Sequence, residues 1–253
     1  MKTQIAHKKK QYTIDLSKPL DISIPLTANA ANPLAWYQDR PKMNPVVMGN
    51  WVGSVQKGAS VNFNTITFNP HAHGTHTECV GHITKEFHSV QKSLKTSFFL
   101  AELISIAPEN KKGDQVILAN QVIKLLAGKK PEAVIIRTLP NTPAKRRRKY
   151  SNTNWPYLEE QVATFLREIG VKHLLIDLPS VDKEKDDGAL LAHKAFWNYP
   201  NKTRLDATIT EFIYVSNRIK DGSYFLDLQT APFVNDATPS RPVLYAITKQ
   251  QPS

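Results

Sequence analysis

One cysteine, Cys79, stands alone in the chain, so an intramolecular disulfide framework is excluded and stability must come from packing. Glycine is also scarce: ten glycines stand against seventeen prolines, a balance that predicts strand ends and stiff loops rather than a helical bundle. No stretch approaches the ~20 apolar residues that a membrane-spanning helix needs. The opening MKTQIAHKKKQYTID has no apolar run, which predicts a protein without a secretory leader, located in the cytoplasm. No internal repeat or linker-like shift in composition appears. That predicts a single domain over residues 1–253, with 1–11 as a flexible N-terminal tail. With 41% hydrophobic and 22% charged residues, wholesale disorder is excluded as well.

Charge is present in excess, at +11 net, and invites a nucleic-acid reading. Its distribution argues against one. Lys145, Arg146, Arg147, Arg148 and Lys149 form one run, and Lys8, Lys9 and Lys10 form another. Runs this short predict solvated loops, and no RNA-binding aromatic signature or zinc-finger spacing accompanies them. Nucleic acid is therefore not an expected partner, and no membrane partner is expected either.

Periodicity predicts mixed α and β structure. Tyr12 to Leu26 reads as short strands broken by Pro19 and Pro25, and Asn29 to Met48 as a long excursion. Ser60 to Phe68 alternates polar and apolar residues as a strand, slipping phase once after Asn64. Leu118 to Ala127 predicts a short helix, followed by the β-branched run Ala133 to Ile136. Pro156 to Ile169 places Leu158, Val162, Phe165, Leu166 and Ile169 on one helical face, with Gly170 as its stop. Leu174 to Ile176 then reads as a buried strand ending at Asp177, the position at which α/β folds place sites.

The chemistry is concentrated between Asn69 and His82. Four of the eight histidines lie in these fourteen residues, directly after an apolar strand-like run. Imidazole and carboxylate together are ligands for zinc, manganese or ferrous iron. His76 and Glu78 are two apart, so an extended backbone projects both to one side, and His82 can reach that side as well. Cys79, beside them, has no activating partner in the sequence and reads as a small packed thiol.

The run His73-Gly74-Thr75-His76-Thr77-Glu78, closed by His82, resembles the motif His-x-Gly-Thr-His-x-Asp-x-Pro-x-His of the cyclase family of metal-dependent hydrolases. Bacterial kynurenine formamidase and isatin hydrolase belong to that family. Ile14-Asp15-Leu16-Ser17 resembles its opening strand, and Ile176 to Asp182 resembles its Gly-x-Asp-x-Pro-Ser-x-Asp segment. His193 and Thr210-Glu211-Phe212 resemble its downstream histidine and glutamate.

The resemblance implies an α/β fold of the swivelling β/β/α type, with a mixed sheet or barrel-like core, and a homo-oligomer. It implies His76, Glu78, His193 and Glu211 as metal ligands, a divalent cofactor (zinc or manganese), and His82 as acid/base. The first motif histidine falls on Ala72, flanked by His71 and His73; a one-residue bulge favours His71 as the ligand. Val80 stands for the motif proline and Glu78 for its aspartate. Trp36 resembles the family's substrate-side tryptophan. The activity implied is hydrolysis of a small-molecule amide or cyclic amide. The departures leave room for an alternative, a family member that binds a metal or ligand without turnover. Asp177 and Asp182 are expected to cap turns rather than to act in catalysis.

Overall fold

Seven short runs, most of them β-branched or apolar, close on themselves in the computed structural model, which describes residues 1–252. They are β1 (His76–Glu78), β2 (Phe98–Ile106), β3 (Ala133–Thr138), β4 (His173–Ile176), β5 (Thr208–Glu211), β6 (Gly222–Thr230) and β7 (Ala237–Pro252). Around the barrel the order is β1-β5-β4-β3-β2-β6-β7, and β7 pairs with β1 to close it. The β2–β3, β3–β4 and β4–β5 pairings are parallel. The other four are antiparallel, so the barrel is mixed. Parallel neighbours need long crossovers. These are supplied by α1 (Ala119–Leu126), α2 (Glu160–Glu168) and α3 (Leu191–Trp197). The fold is the single α/β domain with a barrel-like core that the sequence predicts.

Alternation along the strands builds two cores. Ala133 and Ile135 of β3, Leu175 of β4 and Leu103 of β2 fill the barrel with Leu226, Leu228 and Leu244. Val134, Ile136, Leu174, Ile176 and Ile209 point the other way, into a layer closed by Val122, Leu126, Val162, Leu166, Phe196 and Trp197 of the helices. Each such fully buried aliphatic contributes roughly 1.5–3 kcal/mol relative to exposure. The same alternation fixes the site: Glu211 shares the outward face of β5 with Ile209, while Thr210 faces in.

Helix α2 ends as predicted, with Gly170 left-handed at φ +89° and the Val171 amide donating back to the Leu166 carbonyl at 3.0 Å. Its start differs from expectation. Tyr157–Leu158 pairs in parallel with Val116–Ile117, so the helix begins at Glu160 and Pro156 lies outside it. Ser60 to Phe68 also departs from its pattern: Asn64–Thr67 alone is strand, paired with Lys42–Pro45, and Val61, Phe63 and Ile66 are exposed. An alternating pattern specifies a strand with two faces; it does not specify that anything covers the apolar one. Residues 1–11, expected as a tail, instead enter a hairpin of Lys2–His7 with Lys10–Asp15, which extends the sheet from β7.

The basic run is solvated as expected at Arg146, Arg147, Arg148 and Lys149, but Lys145 is folded in. Lys145 is buried, with Nζ donating to Asp177 Oδ2 at 2.8 Å and Thr138 Oγ1 at 2.6 Å. Arg146 lies over the Tyr214 ring, Arg148 over the Tyr150 ring, and Lys149 reaches the Asn32 and Ala30 carbonyls.

Candidate metal centre

Two strands, one helix and two short helical turns bring six of the expected residues together on the outer face of the barrel. His76 of β1 is in register with Glu211 of β5, and Glu78 is in register with Ile209. Because the spacing of both pairs is two, His76, Glu78 and Glu211 project to the same side. Their inward neighbours Thr77 and Thr210 hydrogen-bond to one another at 2.8 Å inside the barrel. His193 comes from α3, which packs over this face, and its Nε2 lies 3.0 Å from Glu78 Oε1 and 3.9 Å from Glu211 Oε1.

The two flanking histidines at Ala72 separate cleanly. Pro70–His73 forms one helical turn, capped by the Asn69 side chain accepting from the His71 amide at 2.9 Å. That turn, not a strand bulge, carries His71 into the cluster, where Nδ1 is 3.1 Å from Glu78 Oε2. His73 faces away. Its Nδ1 accepts from the Asn69 amide at 2.8 Å, so Nε2 carries the hydrogen and donates to the Asp39 carbonyl at 2.7 Å.

His82 enters from a 3-10 turn (Val80–His82) and is the most exposed imidazole of the group, with 32% of its side chain accessible. Its Nε2 is 3.9 Å from Glu78 Oε2 and its ring stacks on His71 at 4.2 Å between centroids. A seventh member, Asp236, was not foreseen. It immediately precedes β7, and its Oδ2 lies 3.1 Å from His71 Nε2 and 3.4 Å from His82 Nδ1. The signal in the sequence was faint: a lone aspartate in a Pro- and Asn-containing loop, 165 residues from its histidine. Trp36 does not join the cluster; it packs edge-on against Trp155 at 5.0 Å. Cys79 is buried, and burial raises its thiol, as a packed residue requires.

The donor set fits a cation. His76 Nδ1 donates to the Gly74 carbonyl at 3.0 Å, which leaves a lone pair on Nε2. That nitrogen is buried without a hydrogen-bond partner, 3.4 Å from Glu211 Oε2. Asp182 Oδ2 takes the proton of His193 Nδ1 at 2.6 Å, which leaves Nε2, 3.0 Å from Glu78 Oε1, as the nitrogen open to a proton or an ion. Glu78 Oε2 is likewise buried with no well-aligned hydrogen bond, His71 Nδ1 lying 3.1 Å from it. Acceptors facing acceptors in a buried pocket repel unless a proton or metal ion sits between them. Three overlapping triads hold their ligand atoms within 4.8 Å of one another: His71–His76–Glu78, Glu78–His82–His193 and His71–His82–Asp236.

The electrostatics carry the same message. Burial works to raise Glu78, yet His82, His193 and His71 around it hold it well below the usual carboxylate range. Burial, reinforced by the charge of Glu78, pushes Glu211 up. Burial opposes protonation of His71, but Asp236 and Glu78 outweigh it and push the imidazole up to about 10. Asp182 is drawn down by His193 and by the Ala192 and His193 amides against its own burial. It thus caps α3 and orients a cluster residue at once.

Solved structures share this architecture. An isatin hydrolase bound to the product analogue thioisatinate is similar at TM-score 0.69 and 11% identity, covering 91% of this chain and 93% of its own. Isatin hydrolase A from Ralstonia solanacearum gives TM-score 0.65 at 12% identity, over 90% and 92% of the two chains. A structure described as a "predicted metal-dependent hydrolase from Bacillus stearothermophilus" gives 0.64 at 16%, over 90% and 98%. At these identities the likeness is one of fold. No curated protein matches the chain by sequence. The family profile described as "Putative cyclase" matches residues 14–183, two thirds of the sequence, and takes in His71, His76, Glu78 and His82. The chain belongs to that cyclase family.

Proposed function

We propose that the protein is a metal-dependent hydrolase of an amide or cyclic amide. The observation that carries the reading is the pair of buried atoms without a well-aligned hydrogen bond, His76 Nε2 and Glu78 Oε2, beside His71, His193 and Glu211. These five residues would hold a divalent ion, zinc or manganese, since the nitrogen and oxygen donors suit both. Such an ion supplies acidified water at neutral pH and polarises a carbonyl oxygen.

The residues of the chain do the rest. His82, partly exposed beside the ligands, accepts a proton from the attacking water and returns it to the leaving nitrogen as the C–O bond forms and the C–N bond breaks. Asp236, shared between His71 and His82, orients both rings. Asp182 keeps His193 in the tautomer whose Nε2 is a ligand. Trp36, whose neighbour Ala35 donates its amide to the Ala72 carbonyl at 3.1 Å, would form an aromatic wall for a planar substrate.

The exposed apolar side chains Val47, Met48, Val61, Phe63 and Ile66 support a homo-oligomer in which a second copy covers them. Light scattering checks that state, and a monomer at micromolar concentration rejects it.

The function is tested by metal analysis of purified protein, together with turnover on formyl-amides, cyclic imides and lactones. Roughly one or two equivalents of metal, and amide hydrolysis lost in His82→Ala with metal retained, are expected. Turnover by metal-free protein rejects the scheme. Metal bound with no turnover on any of the panel points to the non-catalytic alternative.

A further inference from the structure

A cavity of about 810 Å³ opens at the carboxyl ends of the parallel strands, where α/β folds gather their ligand sites. The connection after β3 contributes Pro143 and Arg146, and the segment after β5 contributes Tyr214, Ser216 and Arg218. Arg241 of β7 and Asp21 complete the charged lining. None of the seven residues of the metal centre lines it, although Gly74 and Thr75, just ahead of His76, form one wall.

The charge in this cavity is unbalanced. Three guanidinium groups face one carboxylate. That carboxylate is already engaged, with Asp21 Oδ2 accepting from Arg241 Nε at 2.8 Å and Oδ1 accepting from the Ser23 amide and hydroxyl at 2.9 and 2.6 Å. Arg146 and Arg218 have no ion-pair partner among the described residues. Arg146 lies over the Tyr214 ring, its Cζ 5.7 Å from the centroid, a cation–π contact that holds it at the cavity wall. The hydroxyl of Ser240, another lining residue, also lacks a hydrogen-bond partner among the described residues. An adjoining hollow of about 390 Å³ shares Arg146 and adds Arg147. The basic run is thus split: Lys145 turns inward to Asp177, and the next two residues present free guanidinium groups to a concave surface.

We propose that this cavity is a second binding site, separate from the metal centre, for a small molecule bearing a carboxylate or phosphate group. Planar guanidinium forks match both oxyanions in bidentate geometry. The volume is that of a small-molecule site, and two of its three guanidinium groups have no ion-pair partner among the described residues. The site is independent of the hydrolase reading.

Calorimetric titration of the metal-loaded protein with inorganic phosphate, and separately with succinate, at fixed ionic strength tests the proposal. Saturable binding of at least one anion is expected, and the preferred one identifies the class. The double variant Arg146→Gln/Arg218→Gln, both at exposed positions, should weaken it by about tenfold or more. Asp236→Asn should leave it unchanged, as should the charge-matched surface control Lys112→Gln/Lys124→Gln. No saturable binding of either anion overturns the site. Equal loss in the surface control reduces it to general electrostatics, and loss in Asp236→Asn assigns the anion to the metal centre; both overturn it too.

Discussion

His193 is clamped between two carboxylates: Asp182 Oδ2 takes its Nδ1 hydrogen at 2.6 Å, and Glu78 Oε1 faces its Nε2 at 3.0 Å. The first contact decides the chemistry of the second, because a proton fixed on Nδ1 makes Nε2 a lone-pair donor. Asp182→Asn keeps one acceptor oxygen, enough for the Ala192 amide, and puts an NH2 donor or a neutral oxygen opposite His193 Nδ1. Metal affinity should fall about 10–100-fold with little change in the fold. Competition with a chromogenic chelator measures it, and unchanged affinity would show that His193 is not a ligand.

The two histidines flanking Ala72 should separate by phenotype. His71→Ala is expected to lose metal, as its Nδ1 lies 3.1 Å from Glu78. His73→Ala should retain metal and lose stability by about 1–3 kcal/mol, since the Asn69 amide and the Asp39 carbonyl lose their partner. Metal content and urea melts on both variants check the assignment. The reverse pattern would make His73 the ligand.

Metal loading should stabilise the fold, because the ion binds buried carboxylates and imidazoles that the unfolded chain does not assemble. At a free concentration 100 times the dissociation constant the gain is about 2.7 kcal/mol. Thermal melts with and without chelator read it directly. Glu78→Gln should abolish the difference, since Glu78 belongs to two of the three triads.

Lys145 is the one basic residue of its run whose removal should matter to stability. Lys145→Met leaves Asp177 buried with its charge uncompensated, which costs about 3–5 kcal/mol. The double variant Lys145→Met/Asp177→Asn should recover part of that loss, because no buried charge remains. Denaturant titrations of the two decide; equal losses would mean that the pair acts only through packing.

Acid stability should depend on His173, far from the metal centre. Burial, with Lys172 adding to it, drives this imidazole from 6.5 down to about 3. The unfolded chain therefore binds a proton that the folded chain refuses between those values. The contribution of His173 is complete above about pH 6.5 and is lost as the pH falls toward 3. His173→Gln should flatten the fall of unfolding free energy across that window, and an unaltered slope would place the acid sensitivity elsewhere.

Local pattern was a good guide wherever burial followed from it. Leu174 to Ile176 is a strand because both of its faces are covered, and the Val162–Leu166 stripe is a helix because one face is. The pattern misled where it was silent about neighbours. Val61, Phe63 and Ile66 alternate as a buried strand would, yet lie open because only Lys42–Pro45 pairs with that segment. The run at 145–149 reads as solvated, but Asp177, 32 residues away, draws Lys145 inside.

The amino-acid sequence by itself determined the donors on β1. A two-residue step in an extended chain must put His76 and Glu78 on one side, whatever surrounds them. It could not determine what meets them. That Glu211 stands opposite His76, that α3 lowers His193 onto Glu78, and that Asp236 arrives from 165 residues beyond His71 all follow from closing the barrel. Closure is a property of strand pairing over long separations, and no local spacing encodes it.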